Sequence, residues 1–145
     1  MAIKKKLSLR QKARKRALQA LYGWMLTQNN LRDIETDTLQ AHIEEKLDMT
    51  YFRTLLHEIP KQITDLDNLL MPYLHKRSID ELDPIEKTIL RIGIYELSCE
   101  LEIPYKVVIN EALALTKMFG SSDSHKFVNA VLDKAAKHIR KIELE

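Results

Sequence analysis

Apolar residues recur at helical spacing along nearly the whole chain, and short polar runs break them into segments. The first helix is predicted over residues 8–28. At ~100° per residue, Ala13, Ala17, Ala20, Leu21 and Trp24 share one face, and Lys12, Lys15, Gln19 and Tyr22 share the opposite one. Asn29-Asn30 ends it, and a second helix is expected over 37–47. A third begins after Thr50 with Tyr51, Phe52, Leu55, Leu56 and Ile59 and continues through Ile63, Leu66, Leu69 and Leu70, with a kink or split at Pro60, which lacks a backbone donor. Residues 74–82 read as a connection to a second half.

Asp83-Pro84-Ile85-Glu86 is a helix start, with an acid at the cap, proline in the first turn and glutamate three residues after the cap. The helix that follows, through residue 101, has Ile85, Ile89 and Ile92 on one flank and Leu90, Ile94 and Leu97 on another, the pattern of a central helix. Pro104 opens the next, which buries Val108, Ala112, Leu115 and Phe119, leaves Lys106, Asn110 and Lys117 outside, and stops at Gly120. A last helix over 124–142 buries Val128, Val131, Leu132, Ala135 and Ile139. No repeat, low-complexity tract or convincing strand interrupts this pattern, so the fold class is all-α, with about six to seven helices.

Composition agrees. Three Gly and four Pro in 145 residues leave little to break helices, and 45% apolar residues fill one core or two small subdomains. No segment approaches the ~20 apolar residues that span a bilayer, and the basic start lacks the apolar stretch of a signal peptide. A cytoplasmic protein is expected, and a lone Cys99 agrees with a reducing compartment.

Charge changes the picture more. Eight cations and no anion fall in the first sixteen residues (Lys4, Lys5, Lys6, Arg10, Lys12, Arg14, Lys15, Arg16), and the remaining fifteen basic and twenty-one acidic residues sum to −6. A basic arm on an acidic body points to phosphate binding confined to one region. A solubilising tail is the plainer alternative.

The run Asp123-Ser124-His125-Lys126-Phe127-Val128-Asn129, preceded by Ser121-Ser122, carries more donors and more stacking surface than a helix cap needs. A partner that is polar, anionic and planar would use the excess, and single-stranded RNA is all three. Asp123, Ser124 and His125 are also the residue types of a hydrolytic triad, but neighbours at a helix start splay apart rather than converge. The histidines have no paired metal-ligand spacing, Asp80, Glu81 and Asp83 read as a solvated connector with a cap, and a phosphate-cradling glycine loop is missing. No enzyme, metal site or cofactor is expected. Glu96 falls on the face of Ile85, Ile89 and Ile92, where a carboxylate either reaches solvent at the helix edge or is paired with a helix N-terminus or a cation.

Four strings resemble the NusB family of bacterial transcription antitermination factors along nearly the whole chain: residues 17–22 (ALQALY) with Trp24, 90–97 (LRIGIYEL), 104–112 (PYKVVINEA) and 123–129 (DSHKFVN). The resemblance implies two small helical bundles packed together, with subdomains at 1–82 and 83–145, the first carrying the basic arm. It also implies binding to the boxA element of nascent ribosomal RNA together with NusE, a small ribosomal subunit protein, within an RNA polymerase antitermination complex. The family's basic motif falls on Arg10, Lys12 and Arg14, with Gln11 where some members are basic and Lys15 and Arg16 compensating. RNA contact is carried over to Tyr22, Asp123, Lys126 and Phe127, and Glu86 to the NusE side. Ala130 stands where members often have Gly. A related domain occurs on certain ribosomal RNA methyltransferases, but a chain ending at residue 145 is expected to have no room for a methyl-transfer domain.

The physical roles follow from residue type. Cations of the first helix, Lys15 included, contact phosphates, while Tyr22 and Phe127 offer faces for stacking. Ser124, His125 and Asn110 are candidates for reading base edges. Asp123 is expected chiefly as the cap of the last helix. A purely protein-binding adaptor would account for the acidic body but leave the basic arm and Tyr22 unused.

Overall fold

The structure, a computed structural model, describes residues 6–141, and these contain seven α-helices, two short 3-10 turns and no strand. Lys4 and Lys5 of the basic arm, and the expected helix end at Ile142, lie outside the described residues. The chain divides into two compact units, Met1–Glu58 and Ile59–Glu145.

In the first unit α1 (Leu9–Thr27) starts at a reciprocal cap. Ser8 Oγ accepts from the Gln11 amide at 3.1 Å, and Gln11 Oε1 accepts from the Ser8 amide at 2.9 Å. Ala13, Ala17, Leu18, Ala20 and Leu21 are buried as the helical period requires, although Trp24 is only half-buried. The second helix is displaced from its expected place: α2 is Leu31–Ala41, not 37–47. Asn30, expected to help stop α1, is the cap of α2, its side chain accepting from the Arg32 amide at 2.8 Å. After α2 the chain returns to α1 through a forked ion pair in which Arg16 Nε and Nη2 donate to the two Glu45 oxygens at 2.7 and 2.9 Å. This hydrogen bonding with Arg16 holds the Glu45 carboxyl below the usual carboxylate range, against the opposing effect of burial. Helix α3 (Met49–Lys61) buries Tyr51, Phe52, Leu55 and Leu56, and its N-terminus is met by Asp48, which accepts from the Tyr51 amide at 3.0 Å.

The apolar run is split, but just past the expected place: α3 continues through Pro60 to Lys61, and a separate α4 (Ile63–Leu70) follows Gln62. The second unit also comprises 3-10 turns at Met71–Tyr73 and Ile79–Glu81, then α5 (Pro84–Cys99), α6 (Tyr105–Phe119) and α7 (Ser122–Ile139). Asp83 caps α5, accepting from the amides of Ile85 and Glu86 at 3.1 and 3.2 Å. Helix α5 is central, packed against α4, α6 and α7. Its Gly93 allows the approach of α7, because a Cβ there would stand 2.8 Å from Leu132 Cδ1.

The units divide at 58/59 rather than at 82/83 because α4 belongs with α5. Leu66 and Leu70 are buried, and Arg91 of α5 donates to both oxygens of Asp67 at 2.9 Å. Arg140, just past α7, closes the other end of α5. Its buried guanidinium donates to the carbonyls of Leu97, Ile103, Glu96 and Glu100 at 2.7 to 3.2 Å. Of these, the Leu97 and Ile103 carbonyls receive no backbone amide at the helix end and the turn after it, whereas those of Glu96 and Glu100 also accept the amides of Glu100 and Ile103. Glu96 is 1% exposed, which settles against the solvent-reaching alternative, and no buried side-chain oxygen among the described residues lacks a hydrogen-bond partner.

Candidate nucleic-acid interface

In the first unit the expected phosphate contacts separate into two kinds. Lys12, Lys15 and Tyr22 are half-buried on the polar side of α1, and Lys12 has no carboxylate at ion-pair distance among the described residues. Arg10 is exposed, its guanidinium 4.3 Å from the centre of the Tyr51 ring and 3.6 Å from Asp48 Oδ2. Arg14 departs from expectation: it is 4% exposed, with its guanidinium 5.5 Å from the same ring. Its long apolar stem and planar head fit it to a packed site, which removes it from the set of free phosphate contacts. Arg16, tied to Glu45 and Gln19, is likewise occupied.

In the second unit the start of α7 gathers most of the remaining candidates. The cap is Ser121, not Asp123: Ser121 Oγ accepts from the Ser124 amide at 3.2 Å and donates to Ser124 Oγ at 3.3 Å. Two residues further into the serine run, the chain is already helical, so Asp123 stands exposed in the first turn, where its charge suits the helix dipole. Ser124 is buried and engaged by Ser121, which corrects its expected role as a reader of base edges. His125 and Lys126 are exposed and line a shallow cleft with Thr116, Lys117 and Ser122. Asn110 is exposed on α6 and lines neither this cleft nor the one beside Phe127.

Phe127 is half-buried, while Val128, Val131 and Leu132 fill the core beneath it. Over its ring, 4.5 Å from the centre, lies the guanidinium of Arg77. That residue also approaches Glu86 Oε1 at 3.8 Å. Glu86 is 6% exposed, so it does not project as the expected partner contact; it forms part of the wall of a cleft of about 610 Å³ that Arg77, Asp83, Asp123 and Phe127 also line. Arg77 had no signal in the sequence. It falls in the aperiodic connection 74–82, fifty residues before the ring it covers, and no spacing rule links the two. Chemically this end of the unit offers an accessible aromatic edge, a planar cation against it, and exposed lysine and imidazole donors alongside.

The sequence matches the NusB family over residues 11–137. The chain belongs to the NusB family. It is 49% identical over 132 residues to the transcription antitermination protein NusB of Pasteurella multocida, covering 91% of each chain, and 50% identical over 135 residues to that of Escherichia coli, covering 93% of this chain and 96% of the other. Among solved structures it resembles NusB of T. maritima, with TM-score 0.78, 29% identity, and coverage of 96% of this chain and 99% of that one. It also resembles a chain in a crystal structure of antitermination factors NusB and NusE in complex with double-stranded RNA, with TM-score 0.78, 26% identity, and coverage of 88% and 96%. For this NusB-family chain, then, the all-helical fold and the strings quoted from the sequence lead to the same family. No helix of the described residues is long and apolar enough to cross a membrane.

Proposed function

We propose that this chain is a cytoplasmic, non-catalytic transcription antitermination factor that binds boxA of nascent ribosomal RNA together with NusE and promotes processive transcription of ribosomal RNA operons. The observation that carries the reading is the half-exposed Phe127 ring, backed by Arg77 and flanked by exposed His125 and Lys126, in a chain half identical to curated antitermination proteins. Phe127 and Tyr22 stack on bases, Lys126, Arg10, Lys12 and Lys15 meet phosphates, and His125, Asn110 and Asp123 supply hydrogen bonds to base edges. Exposed Glu81 and Asp83, on the cleft wall beside buried Glu86, suit the NusE side, where a basic protein surface would find a complementary charge.

The test is a titration of boxA-like and scrambled RNA with and without NusE across a salt series. The expected result is preference for boxA-like RNA, tightened by NusE, with affinity falling as salt rises. Replacing Arg10 and Lys12 by Ala should lower both the affinity and the salt slope. Equal binding of both RNAs, or salt-independent binding, would overturn the reading in favour of a protein-only adaptor.

A further inference from the structure

Alternate residues of the connection between α4 and α5 meet α7 one after another. The Tyr73 ring lies 5.7 Å from that of His138, Lys134 Nζ donates to His75 Nε2 at 3.3 Å, and Arg77 covers Phe127. The contacts ascend the connection as they descend the helix, so this segment runs antiparallel to α7, anchored by the fully buried Leu74. At ~100° per residue, Phe127, Lys134 and His138 fall within ~40° of one another, and at ~1.5 Å rise the row is ~16 Å long. It is one face of α7, and Phe127 stands at its start.

Some of the charges beside this row are paired and others are not. Lys137, on the neighbouring face, is paired with Asp133 at 3.1 Å, and Arg77 has Glu86. Lys134 and Lys76, both exposed, have no carboxylate at ion-pair distance among the described residues. The polar partner of Lys134 is an imidazole nitrogen, which accepts its hydrogen bond without cancelling its charge. His75 and Lys76 are neighbours in the connection, and both are exposed. A strip of compact cations beginning beside an accessible ring suits a polyanion with planar bases better than it suits an acidic peptide.

We propose that Lys76, His75 and Lys134 form a phosphate track that carries RNA from Phe127 along α7, holding nucleotides that flank the boxA element. The proposal rests on the RNA-binding reading above and adds a longer footprint to it. The experiment measures fluorescence anisotropy with three RNAs, boxA-like alone and the same RNA with a uridine tail at either the 5′ or the 3′ end, for the wild type and for the double variant Lys76→Ala, Lys134→Ala. One tailed RNA should bind the wild type severalfold more tightly than the untailed one. The double variant should lose that gain, reduce the salt slope for that RNA by about 1.4, two single-strand contacts at ~0.7 each, and keep its affinity for untailed RNA. Both lysines are exposed, so the melting temperature should not move, and the Lys→Arg pair should restore the gain. If tails add nothing for the wild type, or the double variant binds all three RNAs as the wild type does, the track is overturned while the boxA reading stands. Equal loss on tailed and untailed RNA overturns it too, and absence of any preference for boxA-like over scrambled RNA overturns both.

Discussion

Arg10 over Tyr51 and Arg77 over Phe127 are nearly the same contact, 4.3 and 4.5 Å from ring centre to guanidinium, set in rings of different exposure. Tyr51 is 5% exposed and has a second guanidinium, that of Arg14, at 5.5 Å. Phe127 is half-buried beside exposed His125 and Lys126. A cation over a ring contributes ~0.5–1 kcal/mol at an exposed site and ~2 kcal/mol or more when desolvated. The first pair therefore belongs to the packing of its unit, and the second leaves an aromatic edge for a ligand. Ring exposure, not the presence of an arginine nearby, separates a packed pair from an accessible one.

The comparison breaks most readily at Tyr51. Tyr51→Ala should cost ~3–5 kcal/mol of stability, the scale for a buried aromatic, read by urea unfolding; a loss below ~1 kcal/mol would remove the distinction between the rings. Phe127→Ala should instead cost ~1–3 kcal/mol of RNA affinity with little change in melting temperature, and a large fall in melting temperature with RNA affinity kept in the folded fraction would reverse the roles argued for the two. Arg10→Ala sharpens the first pair: ~0.5–1 kcal/mol of stability should go with the cation over the ring, and a double-mutant cycle with Tyr51→Leu, which removes the ring face, isolates that term.

The smallest effects concern pH, and here the two units should tilt in opposite directions. Glu45 is held low by its hydrogen bonds to Arg16, so its contribution is fully present above the unfolded-state pKa and lost as pH falls through the folded value. Glu100 is raised, first by burial and then by its neighbour Glu102, against the lowering effect of the Tyr95 hydroxyl, which donates to it at 3.0 Å. Its contribution is present below the unfolded-state pKa and lost as pH rises through the folded one. Glu45→Gln should flatten the acid limb of the stability curve, and Glu100→Gln should stabilise the protein at neutral pH and not at acid pH. Parallel shifts from both variants would contradict the opposed environments.

Helices with a strong period and a chemically explicit start are legible in the residues alone. Asp83-Pro84 marks α5, and its apolar flanks mark it as central, as Ile89, Leu90, Ile92, Ile94 and Leu97 confirm by their burial. Legibility fails where one residue type serves two purposes. Asn30 reads equally well as a stop and as a cap, and the shift of α2 follows from that ambiguity; none of its residues is fully buried, so no apolar stripe corrects it. Among the four polar residues from Ser121 to Ser124, any could cap α7, and the choice of Ser121 decides which side chains stay free. Periodicity places Arg14 near the edge of a face but does not say that Tyr51 lies there to receive it. The Phe127 environment is half legible: its edge position follows from helical geometry, whereas Arg77 requires knowing where an aperiodic connection runs.

The closure of α5 by Arg140 has a kinetic consequence. The guanidinium reaches carbonyls 37 to 44 residues earlier in the chain, so these hydrogen bonds can form only after α6 and α7 have folded back along α5. Contacts of such sequence separation require the loop entropy to be spent before they give anything in return. Conservative replacement of Arg140 should accordingly speed unfolding far more than it slows folding, making this one side chain a latch set by the last helix on the most central one.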